Sequence, residues 1–152
     1  MEAFEIERKF LVKKLPEDLE KYECRQLEQG YLCTEPVVRI RRSDDTYTLT
    51  YKGKGLLVRE EYNLPLTKEA YEHLKPKADG ILITKKLYKI PYQSYMIELD
   101  IFEGELASLQ LAEVEFPTKE EAEAFEAPEW FGEDVTFSGQ YQNSSLSKRK
   151  KK

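Results

Sequence analysis

The chain has 152 residues, a formal net charge of -5 and a pI near 5.2, long enough to bury a core as one domain over residues 1–152 and too acidic for a general nucleic-acid binder. Charged residues make up 35% and hydrophobic ones 40%; no apolar run reaches the length of a membrane span, and residues 1–12 are too acidic for a signal peptide. A cytoplasmic protein that engages neither membrane nor nucleic acid is expected, and Cys24 and Cys33, which lack metal-ligand spacing, read as reduced thiols.

Residues 4–12 read as the first strand, followed by a helical turn over 16–22 that Pro16 starts well. A second strand over 24–33 carries Gln26, Glu28 and Gly30 on one face and Leu27, Gln29 and Tyr31 on the other. Residues 37–43 and 46–52 form a hairpin around the polar turn Ser43-Asp44-Asp45. Gly53-Lys54-Gly55 breaks the pattern before a strand over 57–65, stopped by Pro65; no G-x-x-x-x-G-K-[ST] pattern surrounds it, so it is a turn and not a phosphate loop. Thr67 is the expected N-cap of a helix over 68–76, with Ala70, Tyr71 and Leu74 on one face and the single histidine, His73, at the surface. Strands follow over 81–90, 93–102 and 109–117, the first two separated at Pro91-Tyr92. Thr118-Lys119-Glu120-Glu121 is a capping box that opens a helix over 119–126, and Trp130 and Phe131 are expected to pack under a turn. After Tyr141 a short helix runs into a basic tail over 147–152.

The first strand carries the strongest signal. In Glu5-Ile6-Glu7-Arg8-Lys9, side chains alternate between faces, so Glu5, Glu7 and Lys9 share one face. Two carboxylates and an ammonium on one face need metal ions, counter-charges or water. The same two-residue spacing returns in Arg39/Arg41, Thr48/Thr50/Lys52, Arg59/Glu61, Glu98/Asp100 and Glu113/Glu115. One such pair is a solvated strand face; many in succession point to a sheet closed around a charged lumen. Arg8 and Arg42 have the opposite parity and belong outside.

This ordered set, Glu-x-Glu-x-Lys, Arg-x-Arg, a Lys strand, Arg-x-Glu, Glu-x-Asp and a late Glu-x-Glu, resembles the CYTH superfamily of triphosphate tunnel metalloenzymes. The likeness runs from Glu5 to about Asn143, and Gln29-Gly30-Tyr31-Leu32 and Pro128-Glu129-Trp130-Phe131-Gly132 look like its small bacterial, inorganic tripolyphosphatase-like branch. The resemblance implies an α+β, mainly antiparallel fold: a closed eight-stranded β-barrel with a few peripheral helices, acting on a small-molecule triphosphate with Mg²⁺ or Mn²⁺. A homodimer is left open.

Phosphoryl transfer requires positioning and charge stabilisation more than covalent help. The carboxylates Glu5, Glu7, Glu113 and Glu115 are the metal candidates, with Glu5, Glu7 and Glu115 preferred from the resemblance. At about 4 Å, two like charges repel by roughly 4 kcal/mol at an effective dielectric of about 20, so such a cluster calls for a cation. Lys9, Arg39, Arg41, Lys52, Arg59 and Lys85 are the candidate phosphate ligands. Glu61, Glu98 and Asp100 fit three roles alike: a second metal, orientation of the attacking water, or support of the arginines. The resemblance adds Lys9 and Tyr31 as a catalytic pair, joined by Glu61 if it orients water. Asn63, Leu87 and Gly139-Gln140 depart from the family pattern, which has Glu at the first and basic residues at the others; one inward acid and up to two cations are expected to be missing. The expected reaction is hydrolysis of tripolyphosphate to pyrophosphate and phosphate. The rivals are a nucleoside or thiamine triphosphatase or an adenylyl cyclase on the same fold, and a non-catalytic polyphosphate binder.

Overall fold

One strand closes the barrel. The computed structural model describes residues 4–148, and in it β1 (Phe4–Val12) has different neighbours along its two halves. Its start pairs with β5 (Val58–Leu66), Glu5 opposite Arg59, and its remainder pairs with β8 (Gln110–Glu115), Glu7 opposite Glu115 and Lys9 opposite Glu113. Between these lie β4 (Thr46–Lys52), β3 (Val37–Ser43), β2 (Glu23–Thr34), β6 (Asp79–Tyr92) and β7 (Tyr95–Phe102), in the ring order β5-β4-β3-β2-β6-β7-β8-β1, antiparallel throughout. The expected closed eight-stranded barrel is therefore the observed one.

A ninth strand, β9 (Phe131–Asp134), was not foreseen. Because β5 covers only the start of β1, the edge at Phe10–Val12 is left open and β9 pairs with it. Phe131 still packs as expected, its ring 4.7 Å from that of Phe10. The turn between β6 and β7 also differs: it sits at Gln93-Ser94, with Gln93 at φ 57, while Pro91 stays within β6 at an exposed position opposite Met96. The early helical turn is a short 3-10 segment at Leu19–Lys21.

The helices are peripheral. α1 (Lys68–Leu74) is capped by Thr67, whose hydroxyl accepts from the Ala70 amide, and it buries Tyr71 while leaving His73 exposed. α2 (Lys119–Ala124) begins with the capping box, the Glu121 amide donating to Thr118 at 3.1 Å. α3 (Asn143–Leu146) is a single turn. Among the described residues no helix is long and apolar enough to cross a membrane. Cys24 and Cys33 are both free. The basic tail from residue 149 onward lies outside the described residues.

Two apolar clusters hold the barrel. On its outer face Phe10, Ile97, Leu99 and Val114 pack beneath Ala122 of α2 and Phe131 of β9. Inside, Tyr31, Ile83, Phe102 and Leu111 pack against Val135 and Leu146. The C-terminal segment thus fills one end of the barrel, tied there by the Val135 amide on the Lys9 carbonyl and the Ile81 amide on that of Ser147. Gly80, at φ +69, lies so close to the Ser147 carbonyl that any Cβ would collide with it.

Candidate active site

Parity sorts the charges as expected. Ile6, Arg8 and Phe10 face outward, and Arg8 spans the outer layer, donating to the Ala122 carbonyl at 2.9 Å and pairing with Asp134 at 2.7 Å. Its guanidinium lies 4.9 Å from the centre of the Phe10 ring. Arg42 is likewise outward, opposite Glu28. Glu5, Glu7 and Lys9 face the interior, where with Arg39, Lys52, Arg59, Glu113 and Tyr31 they line a cavity of about 40 Å³.

The acidic mouth is built from three strands. Carboxylate oxygens of Glu5 on β1, Glu61 on β5 and Glu115 on β8 all lie within 4.8 Å of one another. Glu115 is at the rim, and burial of its carboxyl, with Glu5, Glu61 and Glu98 nearby, pushes its pKa up to about 7. The Lys52 ammonium supplies counter-charge, 2.8 Å from Glu5 and 3.5 Å from Glu61. Glu7 lies behind this trio; burial, then Glu113 and Glu5, hold its pKa well above the usual carboxylate range. Crowded oxygen donors that share a single ammonium are a donor set that fits a hard divalent cation. Glu61, expected to hold a second metal, orient the attacking water or support the arginines, meets Glu5 and Glu115 here, while Glu7 and Glu113 stand deeper.

The deeper layer is a chain of ion pairs. Lys9 donates to the Tyr141 carbonyl at 2.9 Å and stands 3.3 Å from Glu113. Burial alone would lower the pKa of Lys9, but Glu113 and Glu7 outweigh it and raise it. Burial would likewise raise that of Glu113, yet Lys9, Lys85 and a hydrogen bond with Asp100 hold it well below the ordinary range. Asp100 is pushed well up by burial and Glu113. Its Oδ2 accepts from Lys85 at 2.9 Å, and its buried Oδ1 finds no donor. Both facts fit a protonated Asp100 that donates to Glu113. Lys85 and Asp100 are 1% and 0% exposed in their side chains, so Lys85 is committed to this pair and lies away from the cavity lining. Glu98, raised by burial and Glu113, lines a neighbouring groove with Glu115.

The opposite wall is cationic. Arg39 donates to Thr50 at 3.3 Å, and its buried Nε has no partner in the protein. Arg41, its pKa lowered by burial and by Arg39, donates to Gln29 at 2.8 Å. Arg59 is anchored through Nε on the Gly53 carbonyl at 3.1 Å. Asn63 is inward and hydrogen-bonded to Thr50, where the family pattern has an acid. Leu87 is inward too, opposite Asp100. Gly139 and Gln140 are not part of the cavity wall; Gln142, Asn143 and Ser144 are the residues this segment turns inward. Those three, with Gln29 and Thr136, escaped the charge pattern because they are neutral. Gln29 alone had a signal, its shared parity with Tyr31.

The CYTH domain family model matches residues 3–151. An inorganic triphosphatase of Nitrosomonas europaea is 39% identical over 148 residues, covering 94% of this chain and 96% of that protein. An inorganic triphosphatase of Acetivibrio thermocellus is 34% identical over 151 residues, covering 95% and 93%. A crystal structure of an inorganic triphosphatase superposes with a TM-score of 0.74 at 35% identity, covering 97% of both chains. With this match over nearly its whole length and an eight-stranded barrel enclosing the charged residues, the chain belongs to the CYTH domain family.

Proposed function

We propose that this protein is a divalent-metal-dependent hydrolase that converts inorganic tripolyphosphate to pyrophosphate and phosphate. The observation that carries the reading is a cavity lined by Glu5, Glu7, Lys9, Arg39 and Arg59, with carboxylate oxygens of Glu61 and Glu115 within 4.8 Å of that of Glu5. Its likeness to two inorganic triphosphatases along almost the entire chain supports the choice of substrate.

Glu5, Glu61 and Glu115 would hold the ion, Mg²⁺ or Mn²⁺, with Glu7 close behind. Such an ion, when bound, neutralises phosphate charge and polarises phosphoryl oxygens. Arg39 has an unpartnered Nε and binds phosphate oxygens, as do Lys9, Arg59 and, once drawn off the carboxylates, Lys52. Arg41 and the Lys85–Asp100 pair support this wall from behind. Glu7, which lines the cavity beside Glu5, orients the attacking water. The water oxygen bonds to the terminal phosphorus as the bridging P–O bond breaks, its proton passes to the Glu7 carboxylate and on to solvent, and pyrophosphate leaves with its new charge stabilised by Lys9 and Tyr31.

Steady-state phosphate release from tripolyphosphate and from ATP in one Mg²⁺ buffer is the test. Tripolyphosphate has terminal groups at both ends and no base to accommodate, so its kcat/KM should be at least about tenfold higher. Equal or reversed specificity would reject the inorganic substrate. No release from either would reject hydrolysis in favour of a binding protein.

A further inference from the structure

We infer that Gln29 is a positioning residue: its side-chain amide turns the hydroxyl hydrogen of Tyr31 toward the substrate cavity while anchoring the Arg41 guanidinium. The inference rests on the hydrolase reading above and assigns work to a neutral residue outside the charged set.

Gln29 is 0% exposed on the inward face of β2, directly opposite Arg41 in the β2–β3 register and two residues before Tyr31. Its Oε1 accepts from Arg41 Nε at 2.8 Å, and its Nε2 donates to the Tyr31 hydroxyl at 3.3 Å. The orientation of this amide is not arbitrary. A guanidinium nitrogen only donates, so the amide oxygen must face Arg41 and the NH₂ must face Tyr31. The Tyr31 oxygen then receives a hydrogen on one side, and its own single hydrogen turns to the other. Tyr31 lines the cavity, so its hydroxyl is presented there as a donor to a phosphate oxygen and not as an acceptor.

The residue type suits both tasks. A neutral amide satisfies Arg41 without cancelling the charge that the cationic wall needs. A glutamate would have nearly the same size and would keep the Arg41 contact, but it accepts from both neighbours. It would draw the Tyr31 hydrogen back from the cavity and neutralise Arg41. An aliphatic residue would leave Arg41 Nε without this acceptor.

The experiment compares the full chain with Gln29→Glu, Tyr31→Phe and the double variant, each checked for a native circular dichroism spectrum, by phosphate release from tripolyphosphate with Mg²⁺. Gln29→Glu should lower kcat at least about tenfold while KM moves less than about threefold. The double variant should lose less than the product of the two single losses, because the part of the amide's effect that passes through the hydroxyl disappears with it while the part at Arg41 remains. A Gln29→Glu protein with parental kcat, or losses that multiply in the double variant, overturns the inference. So does a Tyr31→Phe protein with parental kcat, while hydrolysis itself stands. If Gln29→Glu fails to fold, Gln29→Met in the same cycle decides: it must lose more kcat in the parent than in the Tyr31→Phe background, and equal losses in the two overturn the inference. A parent protein that releases no phosphate overturns the hydrolase reading and the inference together.

Discussion

Divalent metal should bind the mouth of the barrel about tenfold more tightly at about pH 8 than at about pH 6. The pKa of Glu115 is pushed up to about 7, because its carboxyl is partly desolvated at the rim and shares the site with Glu5 and Glu61. A cation needs that carboxyl ionised, so the apparent affinity is reduced by the factor one plus [H⁺]/Ka. With a pKa of about 7 the factor is about 11 at pH 6 and about 1.1 at pH 8, a ratio of about ten, or roughly 1.4 kcal/mol. Isothermal titration calorimetry with Mn²⁺ at the two pH values, in buffers of different ionisation enthalpy, reads both the affinity and the protons released. Glu115→Gln should bind weakly at both pH values and flatten the difference. Linkage gives a second sign. The folded pKa of Glu115 lies above its ordinary 4.5, so the folded state holds more protons between those values. Its contribution to the stability of the metal-free protein is therefore lost as pH rises through that window, and saturating metal removes the loss. An affinity that stays level from pH 6 to pH 8, with no proton released near neutrality, would refute the assignment of Glu115 to the ion.

The deeper layer and the outer face give two further tests. If Asp100 carries the proton it shares with Glu113, Asp100→Asn keeps both a donor toward Glu113 and an acceptor for Lys85, and should cost less than about 1 kcal/mol in urea denaturation. Asp100→Ala strands the Lys85 ammonium, 1% exposed, and should cost about 3–5 kcal/mol; equal losses in the two variants would argue that Asp100 is ionised. Arg8→Ala removes an ion pair to Asp134, a hydrogen bond at the end of α2 and a contact with the Phe10 ring, and should destabilise by about 2 kcal/mol while leaving kcat unchanged. A loss of kcat without a loss of stability would mean that Arg8 reaches the site.

The fold was legible because charge and parity reinforce each other. On β1 the odd positions Glu5, Glu7 and Lys9 have no tolerable place except a polar lumen, and Ile6 and Phe10 between them require an apolar cover. That contrast assigns both faces of the strand at once. β9 was not legible, since Phe131-Gly132-Glu133-Asp134 has no alternation of its own and becomes a strand only because β1 offers it an open edge. Likewise Pro91 looks like a break between strands, yet its position in β6 is exposed and the chain reverses two residues later at Gln93.

Parity tells which side chains point inward, but not how far down the barrel they meet. Depth is set by the stagger between strands. Glu7 is opposite Glu115 in the ladder, yet the carboxylate gathered with Glu115 is that of Glu61, brought in where β5 crosses to β1 at Glu5 and Arg59. The same stagger sets Lys9 against Glu113 and Lys85 against Asp100, so two cations that look alike in sequence differ in role: Lys9 faces the cavity, while Lys85 is spent on a buried acid. Down β1 the inward series runs from acid at Glu5 and Glu7, through base at Lys9, to the apolar plug at Leu11. A polyanion entering such a gradient meets the carboxylates first, and their mutual repulsion favours a cation there. The bases lie one layer deeper, held by Tyr141 and Glu113, and the plug denies it an exit beyond them. Under the proposed function, binding of anion and cation would be coupled by order along a single strand, so that neither the carboxylates nor the bases alone would make the site.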